Sequence, residues 1–165
     1  MRYNGTIHLD MDGVLADLEG TYFKLSGNTP DSFDDKKDFW KDISKYQNIF
    51  AVLEPMPDAD LLVSSILFNY NIEILTAIPL RKTFPTAESD KEEWIKKNFS
   101  HGWKFKIGPH AKDKKNHCRP GEILIDDHKP NIDAWIEAGG IGILHTSAIS
   151  TLGILSELKF NGDLK

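Results

Sequence analysis

The chain has 165 residues, 40% hydrophobic and 27% charged, with a formal net charge of −5 at pH 7. That length suits one domain with a small insertion, and the negative balance argues against a nucleic-acid polymer as partner, because no broad basic face is implied. No run approaches the roughly 18–20 apolar residues of a membrane-spanning helix, the chain does not open on the apolar core of a signal peptide, and Cys118 is the only cysteine, a pattern that fits a reducing, cytoplasmic setting.

The first predicted element is a strand over Thr6–Asp10, built on Ile7-His8-Leu9 and running into Asp10-Met11-Asp12-Gly13-Val14. Strand residues two apart point the same way, so Asp10 and Asp12 share a face at the strand's carboxyl end, with Gly13 as the turn. Two adjacent carboxylates are costly to bury. A bound cation removes that cost, and hard oxygen ligands suit Mg²⁺; a surface turn rich in aspartate is the alternative. A helix over Leu15–Ser26 follows, stopped by Gly27.

From Ser26 to Glu54 the pattern changes: Gly27, Asn28 and Pro30, then charges over Asp31–Lys37, then Phe39, Trp40, Tyr46 and Phe50. This is far longer than an ordinary connection of about 2–6 residues and reads as an inserted cap. Its aromatics suit either a miniature core or a substrate slot.

Beyond it come a helix over Asp58–Phe68, N-capped by Asp58, a strand over Ile72–Thr76 and a helix over Ser89–Phe99 with Lys91 in its first turn. Strands over Trp103–Ile107 and Glu122–Asp126, a helix over Asn131–Ala138 stopped by Gly139-Gly140, and a strand over Ile141–His145 complete the alternation. The tail after Ser147 reads as an amphipathic helix around Leu152, Leu155 and Leu158. Strands alternating with helices predict an α/β protein: a three-layer, Rossmann-like parallel sheet with a small helical cap insertion. The expected division is a core of residues 1–17 and 56–165 and a cap of 18–55, with the Asp10 strand central between the second and fourth core strands. Ligands of such sheets sit beyond the carboxyl ends of the strands.

Those ends carry, in order, Asp10 and Asp12, then Thr76, then (past Lys91) Asp126-Asp127. This order resembles the four motifs of the haloacid dehalogenase superfamily, over roughly Tyr3 to Thr146. Within it the chain is similar to the 5′(3′)-deoxyribonucleotidases. The resembling pieces are Asp10-Met11-Asp12-Gly13-Val14-Leu15-Ala16-Asp17, Phe39-Trp40, Leu53-Glu54-Pro55-Met56-Pro57, Lys91 three residues before Trp94, and Leu124-Ile125-Asp126-Asp127.

The resemblance implies a Mg²⁺-dependent phosphatase of (deoxy)ribonucleoside monophosphates. Asp10 would attack phosphorus and become an aspartyl-phosphate. Asp12 would protonate the leaving oxygen and then take a proton from water, which needs a raised pKa that burial beside Asp10 would supply. Thr76 and Lys91 would hold the phosphoryl oxygens. The metal would be bound by Asp10, the Asp12 carbonyl and Asp127, with Asp126 behind it. The acid at Asp12 sets the chain apart from the superfamily's dehalogenases and P-type ATPases. Phe39, Trp40 and Phe50 match positions that form a slot for the base. Leu18 and Ala77 depart from the nucleotidase pattern, where an aromatic and a hydroxyl are common. The stretch after Thr76 is long, which keeps Lys82 as an alternative to Lys91. Another phosphomonoester, such as a sugar phosphate or a nucleic-acid 3′ end, is the second reading, and a non-catalytic binding protein of the same fold the third. The cap's aromatics are compatible with a homodimer.

His101, His110, His117, Cys118 and His128 have no spacing of a zinc site. His128 adjoins Asp127 at the rim. The cluster Lys112-Asp113-Lys114-Lys115 reads as a solvated face, with Lys112 or Lys114 reaching a phosphate as the alternative. Gly139-Gly140 belongs to no phosphate-binding glycine motif.

Overall fold

The computed structural model describes residues 3–99, 102–108 and 111–164. Five strands form its main sheet: β1 (Thr6–Leu9), β4 (Asn71–Ala77), β5 (Lys104–Gly108), β6 (Ile123–Asp126) and β7 (Ile141–Leu144). All pair in parallel, in the order β5-β4-β1-β6-β7. The Asp10 strand therefore lies centrally between the second and fourth core strands, as its apolar run predicts for a strand buried on both faces.

The sheet's two faces follow residue parity. Ile7, Leu9, Ile74, Ile123, Ile125 and Ile143 face one core, which includes α3 (Ala59–Ile66), α4 (Ala87–Asn98) and α6 (Ala148–Phe160). Leu75 and Leu124 face the other, against Ile132 and Trp135 of α5 (Lys129–Glu137). His8 is buried within the apolar run and bonded through Nε2 to Glu122 Oε2 at 2.8 Å. A fully buried Leu or Ile contributes about 1.5–3 kcal/mol, so these two layers dominate cohesion.

Between β1 and α3 the chain makes a turn, a two-residue strand β2 (Ala16–Asp17), α1 (Leu18–Ser26) and α2 (Lys36–Ile43), and returns through β3 (Glu54–Pro55), antiparallel to β2. Short 3₁₀ turns at Pro30–Ser32 and Ile49–Ala51 join these pieces. Asp17 caps α1 through Gly20 N–H, and Gly27 ends it in the left-handed conformation, as its position predicts. Asp58 heads α3, but its carboxylate accepts from Ala148 N at 2.6 Å and so caps α6 beside Ser147. Among the described residues no helix is long and apolar enough to cross a membrane.

Candidate active site

The carboxyl end of β1 is built to present side chains. After Asp10 the chain folds into a tight turn in which Met11 O accepts the N–H groups of Val14, Leu15 and Ala16. Gly13 has φ +78, and a Cβ there would lie 2.1 Å from Asp127 Oδ2. Glycine is thus required both by the backbone and by the approach of the last acidic pair.

Four carboxylates and two lysines meet at this edge. Lys114, on a 3₁₀ helix over Ala111–His117, is buried with Nζ 2.7 Å from Asp10 Oδ2 and 2.6 Å from Asp126 Oδ2. Lys91, at 0% exposure, has Nζ 2.5 Å from Asp12 Oδ2, 3.0 Å from Thr76 Oγ1 and 2.8 Å from Ala77 O. Burial pushes the Asp10 carboxyl up from its ordinary value, with Lys114 opposing. Burial does the same to Asp12, where Lys91 opposes and Asp10 adds. At Lys114 burial works against the ammonium, but Asp10 and Asp126 outweigh it and its pKa lies above the ordinary value. The Asp127 carboxyl is pushed up to about 7 by desolvation, then by the charges of Asp10 and Asp126.

Asp10, Asp126 and Asp127 each place an oxygen within 4.8 Å of the others, and an all-carboxylate set fits a hard divalent cation. The acids are not equivalent. Asp126 Oδ1 accepts from His128 N and Asn131 Nδ2, and Oδ2 from Lys114 Nζ and Asn131 Nδ2. A carboxylate has about four lone-pair sites, so Asp126 is saturated. Asp10 accepts Met11 N on Oδ1 and Lys114 on Oδ2, which leaves it room for a cation. Asp127 is ion-paired with neither lysine, and the more distant Lys114 charge only partly offsets its desolvation.

The structure thus brings Asp10, Asp12, Thr76, Lys91, Asp126 and Asp127 to one edge. All three N–H donors of Lys91 already have partners, whereas Lys82 is exposed on the turn before α4. Phe39 is buried against Tyr22, Phe33 and Trp40. Phe50 is buried edge-on to Phe84, under the Lys91 ammonium at 4.9 Å from the ring centroid. Trp40, half-buried, packs on Phe39 and Phe84. These contacts match the miniature-core expectation for Phe39 and Phe50 more closely than an open slot. In sequence Lys114 is one member of a charged cluster, with reach to a phosphate as its alternative, and the structure sets it between Asp10 and Asp126; Asn131 and Phe84 carry no local sign of a site role. The available signal was the position of Lys114, 12 residues before Asp126. His101 and His110 lie outside the described residues, as does the Lys112 side chain; His128 contributes its backbone N–H.

A parallel α/β sheet of this order is the fold of haloacid dehalogenase-like hydrolases, and the similarities support membership of that superfamily. The chain is similar to the mitochondrial 5′(3′)-deoxyribonucleotidase of Homo sapiens, 30% identical over 145 residues, covering 75% of this chain and 62% of the relative. The Mus musculus counterpart is 29% identical, with 75% and 64% covered. The chain thus spans somewhat over three fifths of these curated relatives' length. Among solved structures, a haloacid dehalogenase-like hydrolase of Streptococcus pneumoniae superposes with a TM-score of 0.59 at 15% identity, covering 95% of this chain and 98% of that one. Another hydrolase of that organism gives 0.55 at 14% identity, covering 94% and 100%. At those identities the likeness concerns the fold. No family model matches the chain.

Proposed function

We propose that the protein is a Mg²⁺-dependent phosphatase that hydrolyses (deoxy)ribonucleoside monophosphates through an aspartyl-phosphate on Asp10. The observation that carries this reading is the arrangement around Asp10: a carboxylate held by Lys114 at the sheet's carboxyl edge, beside Asp127 and a second acid, Asp12, on its own lysine. Asp10 and Asp127, with the Asp12 carbonyl that the resemblance adds, would hold Mg²⁺, and Asp126 would sit behind them. The ion would offset the phosphate's negative charge and polarise its oxygens.

Asp10 attacks phosphorus, the phosphorus–ester oxygen bond breaks, and Asp12 gives its proton to the departing oxygen. Asp12 then takes a proton from the water that attacks the phosphorylated Asp10, releasing phosphate and restoring the carboxylate. Thr76 and Lys114 hold the phosphoryl oxygens. The sequence reading gave that charge role to Lys91; its engaged donors support assigning it to Lys114. Residues 18–55 serve as the cap, and Trp40 is the aromatic with surface left for a base.

Similarity to the deoxyribonucleotidases supports a nucleotide substrate. The burial of Phe39, Phe50 and Phe84 favours the second reading, another phosphomonoester such as a sugar phosphate or a nucleic-acid 3′ end. Phosphate release from nucleotides and sugar phosphates, with Mg²⁺, with EDTA and in Asp10→Asn, tests both. Metal-dependent turnover that prefers nucleotides and vanishes in the variant upholds the first. Turnover confined to sugar phosphates upholds the second, and silence across the panel refutes both.

A further inference from the structure

Lys91 reaches the acidic edge from α4, yet it touches neither Asp10 nor Asp126 in the contacts above. Its three N–H donors meet Asp12 Oδ2, Thr76 Oγ1 and Ala77 O, and the ammonium lies over the Phe50 ring. Such a lysine has no donor left for a substrate unless it abandons one of these partners. The consequence falls on Asp12: Oδ2 is anchored, while Oδ1 is buried with no hydrogen-bond partner among the described residues. An anchored carboxylate with one unoccupied oxygen is an oriented proton carrier. One turn further along α4, Trp94 Nε1 donates to Leu53 O at 2.7 Å, so the same helix also grips the returning end of the insert that carries Phe50.

We propose that Lys91 is a positioning residue for the acid–base group. It fixes Asp12 so that Oδ1 delivers the proton to the leaving oxygen, and Phe50 of the insert holds Lys91 in that place. This rests on the phosphatase reading and adds a division of labour between the two lysines. As the ester bond breaks, its electron pair stays on the leaving oxygen, which receives the proton from Asp12 Oδ1. The attacking water later returns a proton to the same atom. Lys91 exchanges no proton.

The test is leaving-group dependence. From a nitrophenyl phosphate the nitrophenolate departs as a stable anion with little need of a proton, whereas from an alkyl phosphate the alkoxide departs poorly without one. General acid catalysis contributes about 10²–10⁴-fold, so Lys91→Met should lower kcat on the alkyl ester at least ~10-fold more than on the nitrophenyl ester, with KM little changed. Equal losses on both esters with a raised KM would mean that Lys91 holds the phosphoryl group, and would overturn the proposal. If Lys91→Met fails to fold, Phe50→Leu carries the test: a smaller loss selective for the alkyl ester supports the proposal, and an equal loss on both overturns it. A wild type inactive on either ester refutes the phosphatase reading instead. Crystal structures of the metal-free wild type and Phe50→Leu then decide the positioning claim by themselves. An Asp12 carboxylate anchored to Lys91 in the first and displaced in the second supports it; one that stays in place overturns it.

Discussion

Lys114→Met isolates the charge balance of the candidate site. Lys114 is 1% exposed, and its ammonium bridges two carboxylates that are themselves buried. Methionine fills similar space but leaves Asp10 and Asp126 facing each other without a cation. Removing one partner of a buried ion pair costs about 3–5 kcal/mol. For a chain of this size that is a fall in Tm of roughly 6–20 °C. The sign of the pH dependence is fixed. The Asp10 carboxyl already lies above its ordinary value through burial, and losing the opposing Lys114 charge raises it further, so the folded state binds more protons and stability is lost as pH rises from the ordinary value through the raised one. The gap to wild type should therefore widen from pH 4 to pH 8. Urea unfolding with EDTA present measures it, and Lys114→Met/Asp126→Asn should regain about half the loss by removing one stranded charge. A cost below about 1 kcal/mol, or a gap independent of pH, would refute the reasoning.

Gly13→Ala should be destabilised by at least about 1–2 kcal/mol from its positive φ, and the new Cβ, 2.1 Å from Asp127 Oδ2, should weaken metal binding measured by calorimetry. Trp94→Phe loses the bond to Leu53 O and leaves a buried carbonyl unpaired; a loss of about 1–3 kcal/mol in chemical denaturation is expected. His145 is buried, and its pKa is lowered chiefly by desolvation. The unfolded chain therefore takes up a proton first, and stability contributed by the neutral ring is lost as pH falls below about 6.5. His145→Gln should flatten that part of a stability–pH curve.

The strand that ends at Asp10 was legible because its signals are local: an apolar run, then a glycine whose φ of +78 no other residue adopts cheaply. Alternation of strands and helices likewise gave the parallel sheet, since each element's period is written in its own residues. Lys114 was not legible as a buried bridge. In sequence it sits among Lys112, Asp113 and Lys115, and only the packing of the 3₁₀ helix beside β4 and α5 draws it inward. The aromatics of the insert were ambiguous for a related reason. Phe39 and Phe50 have the same apolar chemistry in a core as in a slot, and their packing against Tyr22 and Phe84 is a tertiary feature with no local signal. The inequality of Asp126 and Asp127 needed the donor from Asn131, five residues away on α5.

The central claim is that Asp10 accepts the phosphoryl group. Asp12→Asn should retain attack by Asp10 but lack the base for the second half-reaction, so the phosphoenzyme accumulates. Mixing this variant with Mg²⁺ and an activated aryl phosphate, quenching in acid and mapping peptides by mass spectrometry reads the result directly. One phosphoryl group on the peptide containing Asp10, absent in Asp10→Asn, is the predicted outcome. A phosphoryl group on any other residue, or turnover by wild type with none trapped on Asp10, would contradict it.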